Sequence, residues 1–309
     1  MVAALTSPAL ADSETALATA RAAQDQGRTD EAIHLYSDLL NATDLSPDNR
    51  AAAYNCRGIG YRDMRRYADA ISDFDNAIRL KRDYPEAYNN RAIAERALDR
   101  LDDAIADYST AIRLRPDLAE PYDNRGNAYR AKGLFDEAMT DYASSIRLKP
   151  GYANAYNSRG NAYVQMQRYS DAIRDYDTAI RLEPGVAEVY FNRGNAFGNT
   201  NRMSEAILDY GSAIRIRPDF PAAYFNRGNA YAASQHFVEA IADYDMALKL
   251  KPDFPEAFTN RAFIQAFMRR SLQAMLVFGT GLNLAAIQAS SPFASNSFNG
   301  NTASVDLAR

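Results

Sequence analysis

Tyr122-Asp-Asn-Arg-Gly-Asn127 returns as Tyr190-Phe-Asn-Arg-Gly-Asn195 and again as Tyr224-Phe-Asn-Arg-Gly-Asn229. Looser copies open at Tyr54, Tyr88, Tyr156 and Phe258, so the block recurs every 34 residues. A period of this size marks stacked supersecondary units, each contacting its neighbours, in place of one globular core.

Within residues 119–152, Tyr122, Gly126, Tyr129 and Lys132 fall at helical spacing, and Ala138, Met139, Tyr142, Ser145 and Ile146 form a second helical stripe. These predict two amphipathic helices, A and B. Gly126 and Ala138 are small enough for the pair to approach closely. Asp136 and Glu137 at the start of helix B are expected to cap it and complement its dipole, with Arg147 and Lys149 at its end and Pro150 stopping it. Six units follow this layout over 51–254, each 34 residues long. Residues 13–50 form a degenerate first repeat with Ala32 and Tyr36 in the helix B places. Residues 255–287 form a degenerate last repeat and capping helix, which keeps Phe258, Arg261, Ala274 and Phe278 but loses its charges. Residues 288–309 are Ser-, Asn- and Ala-rich and read as a disordered tail.

The period, with Gly126, Tyr129, Ala138, Tyr142 and Pro150 in signature places, resembles the tetratricopeptide repeat family. The resemblance implies an all-α, right-handed superhelical solenoid of antiparallel helix pairs that acts as a non-catalytic protein-protein interaction scaffold. Two departures stand out: Tyr replaces the family's Trp early in helix A, and Arg125 takes a place usually held by Leu.

That Arg recurs as Arg57, Arg91, Arg125, Arg159, Arg193, Arg227 and Arg261, with an Asp sixteen residues later as Asp73, Asp107, Asp141, Asp175, Asp209 and Asp243. The spacing puts one partner on each helix, which favours structural ion pairs over a row of anion-binding guanidinium groups. The last copy has Val277 instead of Asp.

The family's helix A lines a groove. The residue before the recurring Arg reads Cys56, Asn90, Asn124, Ser158, Asn192, Asn226, Asn260, and the residue three further on reads Ile59, Ile93, Asn127, Asn161, Asn195, Asn229, Phe263. Nine of these fourteen are Asn. Asn is an indifferent helix former, and its amide both donates and accepts. The rows resemble the asparagine ladder of the O-GlcNAc transferase repeat superhelix, which implies recognition of an extended peptide backbone. The alternative is that the amides bond to neighbouring helices or hold water. Phe191 and Phe225 stand beside the row as candidate apolar anchors. A carboxylate-gripping groove does not fit, because no Lys stands directly before the Asn row and the preceding turn carries Glu86, Glu120 and Glu188.

With a formal net charge of -4 the chain has no global basic field for nucleic acid, and no run reaches the about 18 apolar residues of a membrane span. His34 and His236 are far apart, and Cys56 is the single cysteine. No nucleophile, phosphate-binding or metal-ligand motif is present, so neither an enzyme nor a cofactor is expected. The partner is expected to be a protein or peptide. Residues 271–287 are apolar and offer a second reading, assembly into a homodimer through the C-terminal end. Ala9-Leu-Ala11 resembles a signal-cleavage site. If residues 1–12 are the remnant of a signal peptide, the protein is periplasmic or secreted; otherwise it is cytoplasmic.

Overall fold

The computed structural model describes residues 8–278, with side chains from 13 to 273. The described residues hold fifteen helices and no strand. They divide into two compact units that meet in sequence at Pro150 and Gly151. The first contains α1 (Pro8–Asp25), α2 (Thr29–Asn41), α3 (Pro47–Asp63), α4 (Tyr67–Leu80), α5 (Pro85–Ala97), α6 (Leu101–Leu114), α7 (Ala119–Ala131) and α8 (Phe135–Leu148). The second contains α9 (Ala153–Gln165), α10 (Tyr169–Leu182), α11 (Ala187–Asn199), α12 (Met203–Ile216), α13 (Pro221–Ala233), α14 (Phe237–Leu250) and α15 (Pro255–Phe278). Inside each unit a helix A packs on its own helix B, which packs on the next helix A. The four residues that precede the repeat at 51 lengthen α3 by a turn, capped by the Ser46 hydroxyl, which accepts from the Asn49 N–H.

The close approach of A and B comes from the glycine expected to allow it. A methyl group placed on Gly126, Gly160, Gly194 or Gly228 would stand 2.6–2.8 Å from the ring of Tyr142, Tyr176, Tyr210 or Tyr244. Those four tyrosines, with Tyr36, Phe74 and Tyr108, are fully buried, as is the helix B alanine of every repeat from Ala32 to Ala240. Each A-to-B turn places one residue at positive φ: Gly27, Arg65, Asp99, Gly133, Gln167, Asn201 and Gln235. The next N–H then reaches back to the carbonyl five residues earlier, as from Arg66 to Tyr61 and from Arg168 to Tyr163, both at 2.8 Å. This closes the helix C-terminus in the manner of a Schellman turn.

The expected caps of helix B take a different form. Asp136 and Glu137 lie in the first turn of α8, but no side chain caps it. Their contribution is to the helix dipole. In several repeats an Arg at the N-cap position instead pairs with the acid three residues on, as Arg66 does with Asp69 and Arg202 with Glu205. The readings of residues 1–7 and of 279–309, including the disordered tail and most of the apolar 271–287 segment, lie outside the described residues.

Candidate protein-interaction face

Each recurring Arg joins helix A to its own helix B. Nε and Nη2 of Arg125 donate to the two carboxylate oxygens of Asp141 at 2.8 Å. Arg57–Asp73, Arg91–Asp107, Arg159–Asp175, Arg193–Asp209 and Arg227–Asp243 make the same fork at 2.6–2.8 Å. A third N–H often reaches helix B of the preceding repeat: Arg57 to Ser37, Arg91 to Asp75, Arg125 to Ser109 and Arg193 to Asp177. At Arg227 the position facing it is Gly211, with no side chain to accept. Aromatic rings one turn before and after flank the guanidinium, as Tyr122 and Tyr129 do for Arg125 at 5.9 and 5.7 Å. The aspartates are buried. Burial pushes the carboxyls of Asp73 and Asp209 above their ordinary range despite their Arg partners. The Asp107 hydrogen bond holds the Arg91 guanidinium still more firmly protonated. Each of the six forks is spent on an Asp of the same repeat, so none of the six guanidinium groups keeps its full fork for an outside anion.

The asparagines form a ladder between repeats. Asn90 donates to Asn55 Oδ1, Asn124 to Asn89 Oδ1 and Asn192 to Asn157 Oδ1, at 3.1–3.2 Å and 35 residues apart. Where the acceptor position becomes Phe191 or Phe225, the amide turns elsewhere. Asn226 donates to Asn195 Oδ1 and Asn260 to Asn229 Oδ1, at 2.8 and 2.9 Å and 31 residues apart. The second row faces its own helix B. Asn127, Asn161, Asn195 and Asn229 accept from the hydroxyls of Tyr142, Tyr176, Tyr210 and Tyr244 at 2.7–3.0 Å. In the first repeat Gln24 takes that part for Tyr36. Asn127, Asn161, Asn192, Asn195 and Asn226 are buried, whereas Asn90, Asn124, Asn229 and Asn260 are half-buried.

Of the two aromatic residues placed beside the row, Phe191 is not an open anchor. Phe191 is 3% exposed and packs its ring on Phe220 at 4.8 Å and on Tyr210 at 5.9 Å. Phe225 makes the same ring contacts, with Phe254 and Tyr244, but stays half-buried. An apolar side chain at a position that is polar in earlier repeats finds an aromatic partner 29 residues on, and the Phe191–Phe220 pair becomes core.

A second arginine row stands on the same helices. Arg62, Arg96 and Arg130, five residues after the recurring Arg in three successive repeats, carry the 34-residue spacing as their signal in the sequence. Arg62 donates to Asn90 Oδ1 at 3.2 Å and pairs with Asp63. Arg96 is half-buried, and its Nε has no hydrogen-bond partner. It lies against Tyr108, and its charge and hydrogen bonding act on that buried hydroxyl. The acceptor that the later repeats supply is Ile93 here.

Cys56 is half-buried. Among the described residues no three His, Cys, Asp or Glu side chains gather as a metal site, and no helix is long and apolar enough to cross a membrane.

Family models described as TPR repeat match residues 94–133, 126–167, 160–201 and 199–235. Models described as Tetratricopeptide repeat match 221–254 and 17–55. Together they span more than half of the chain. A tetratricopeptide repeat protein from Parabacteroides merdae superposes with a TM-score of 0.63 at 16% identity, over 82% of this chain and 98% of its own. The Pseudomonas aeruginosa pilF structure gives 0.61 at 16% identity, over 70% and 98%. The APC/C hetero-tetramer Cut9-Hcn1 gives 0.62 at 17% identity, over 76% of this chain and 52% of the matched one. At these identities the likeness shows the fold alone. No curated protein matches the chain significantly.

Proposed function

Because the chain belongs to the tetratricopeptide repeat family, we propose that it is a non-catalytic scaffold that binds an extended segment of a protein partner along its A helices. The observation that carries this is the unspent capacity of the half-buried amides. Asn124 uses one N–H on Asn89, and a primary amide has a second N–H and two lone pairs. Asn90 uses one N–H on Asn55 and one lone pair on Arg62. Both sit in the first unit, where Arg62 bonds to Asn90 and Arg96 is carried by the same helix as Asn90; their remaining N–H groups are donors suited to peptide carbonyls and carboxylates. At about 0.5–1.5 kcal/mol per net hydrogen bond, a few such contacts support micromolar binding once ordering costs are met.

The test is affinity capture with the intact chain, compared with Asn90→Ala, Asn124→Ala and Arg96→Ala combined. The variant is expected to keep its helicity and lose the captured protein. Undiminished capture by the variant would sink the reading.

A second reading, homodimerisation through the C-terminal end, is favoured by exposed apolar side chains on α15, where Phe258 and Leu272 are 59% and 58% exposed. The two readings use different surfaces, and one chain can serve both.

A further inference from the structure

The last repeat does not turn. In every earlier A-to-B turn the hinge residue has positive φ, through Gln167, Asn201 and Gln235 in the second unit. Arg269 is next in that register, 34 residues after Gln235, and stays helical. α15 therefore runs unbroken from Pro255 to Phe278, 24 residues, where its neighbours α11 and α13 stop after 13. Yet the sequence beyond the hinge keeps helix B identities. Ala274 and Phe278 stand 34 residues after Ala240 and Tyr244.

The first half of α15 shows what is missing. Phe258 is 59% exposed, while its counterparts Tyr190 and Tyr224 are half-buried. Ala262 is exposed where Gly194 and Gly228 are buried under a helix B tyrosine. Arg261 still reaches back to Asp245, but its Nε has no partner among the described residues, whereas the Nε of each of the six earlier arginines donates to an Asp on its own helix B. A helix A face is bare, and the matching helix B segment continues away from it along the same unbroken helix.

We propose that this face is covered by residues 271–278 of a second copy of the chain, the two copies exchanging their last helix B. The inference rests on the homodimer reading and specifies its geometry. An A/B hairpin is antiparallel, and a twofold axis near Arg269 reproduces that pairing between two straight helices, each B segment lying on the other's A segment. The occupant is the chain itself, because its own sequence supplies the alanine and aromatic that a helix A face of this family packs against.

The full-length chain with Cys56→Ser serves as background for two single variants, Ala262→Cys and Phe278→Cys, one of them tagged. Exchange predicts that a short bismaleimide links the tagged chain to the untagged one efficiently when the two are mixed and re-equilibrated, and links little in either variant alone. Light scattering on the unmodified chain is expected to give twice the chain mass. Arg269→Gly, which favours the left-handed turn used at Gly27 and Gly133, is expected to close the hairpin and give a monomer. A dimer without the mixed cross-link overturns the exchange and leaves the homodimer reading standing. A monomer at every concentration overturns both.

Discussion

At Tyr108 the buried hydroxyl lacks the Asn acceptor of the later repeats, because Ile93 stands in its place, and the Arg96 side chain is the polar group that interacts with it. Tyr108→Phe is therefore expected to cost less than Tyr210→Phe, which strips a hydroxyl that bonds to the buried Asn195 at 2.8 Å and is expected to cost about 1–2 kcal/mol. Urea midpoints at constant slope measure both, and equal effects would contradict the account. Glu95 is the second anomaly of this repeat. It replaces the Tyr or Phe that follows Arg57, Arg125, Arg159, Arg193 and Arg227 by four residues, and it is 9% exposed with one carboxylate oxygen unbonded. Burial first, then the nearby Asp107, pushes its carboxyl up to about 7. A folded-state value above the unfolded one means that the folded chain holds the proton more tightly. Stability from this group is therefore complete below the ordinary carboxylate range near 4.5 and is lost as pH rises towards 7. Glu95→Gln is expected to melt higher than the unmodified chain at pH 8, the gap shrinking as pH falls to 4.5. A gap independent of pH would remove the titration from the explanation.

Between elements, the A/B pair is held at a distance set by glycine. Helix propensity alone makes Gly→Ala favourable by about 0.5–1 kcal/mol. Packing opposes it, since a methyl on Gly194 would stand 2.8 Å from the Tyr210 ring, and overpacking costs about 1–3 kcal/mol. Gly194→Ala is thus expected to lower the thermal midpoint, and a raised midpoint would show that the pair can spread freely. This contact was legible in the sequence, because Gly126 and Ala138 recur together with the aromatic that fills the gap. So were the Arg–Asp forks, whose sixteen-residue spacing joins two helices in every copy. The third arm of each fork was not legible. Its partner on the preceding helix B varies among Ser37, Asp75, Ser109 and Asp177, so no single residue type repeats to announce it.

For the whole molecule, a repeat array draws its stability from nearest-neighbour interfaces, and the asparagine ladder is one of them. The sequence marked the ladder's positions but not its bonds. An inward amide on helix A can serve a bound peptide or the next repeat, and the residue types are the same in both cases. The choice between Asn157 and Asn195 as acceptor depends on Phe191, which removes a polar neighbour and fills its space. The structure thus divides the nine asparagines by exposure, and the division predicts different consequences. Asn192 and Asn226 are 1% and 6% exposed, and truncating a buried, bonded amide leaves its partner short and a gap behind. Asn192→Ala and Asn226→Ala are each expected to cost about 1–3 kcal/mol, with hydrogen exchange accelerated from α9 to α13. Asn90 and Asn124 are themselves half-buried, so water can enter where their amides are removed, and the cost of Asn90→Ala or Asn124→Ala is expected to stay below about 1 kcal/mol while partner capture falls. If the buried pair could be removed without loss of stability, the ladder would not be what joins these repeats, and its amides would again be open to a ligand.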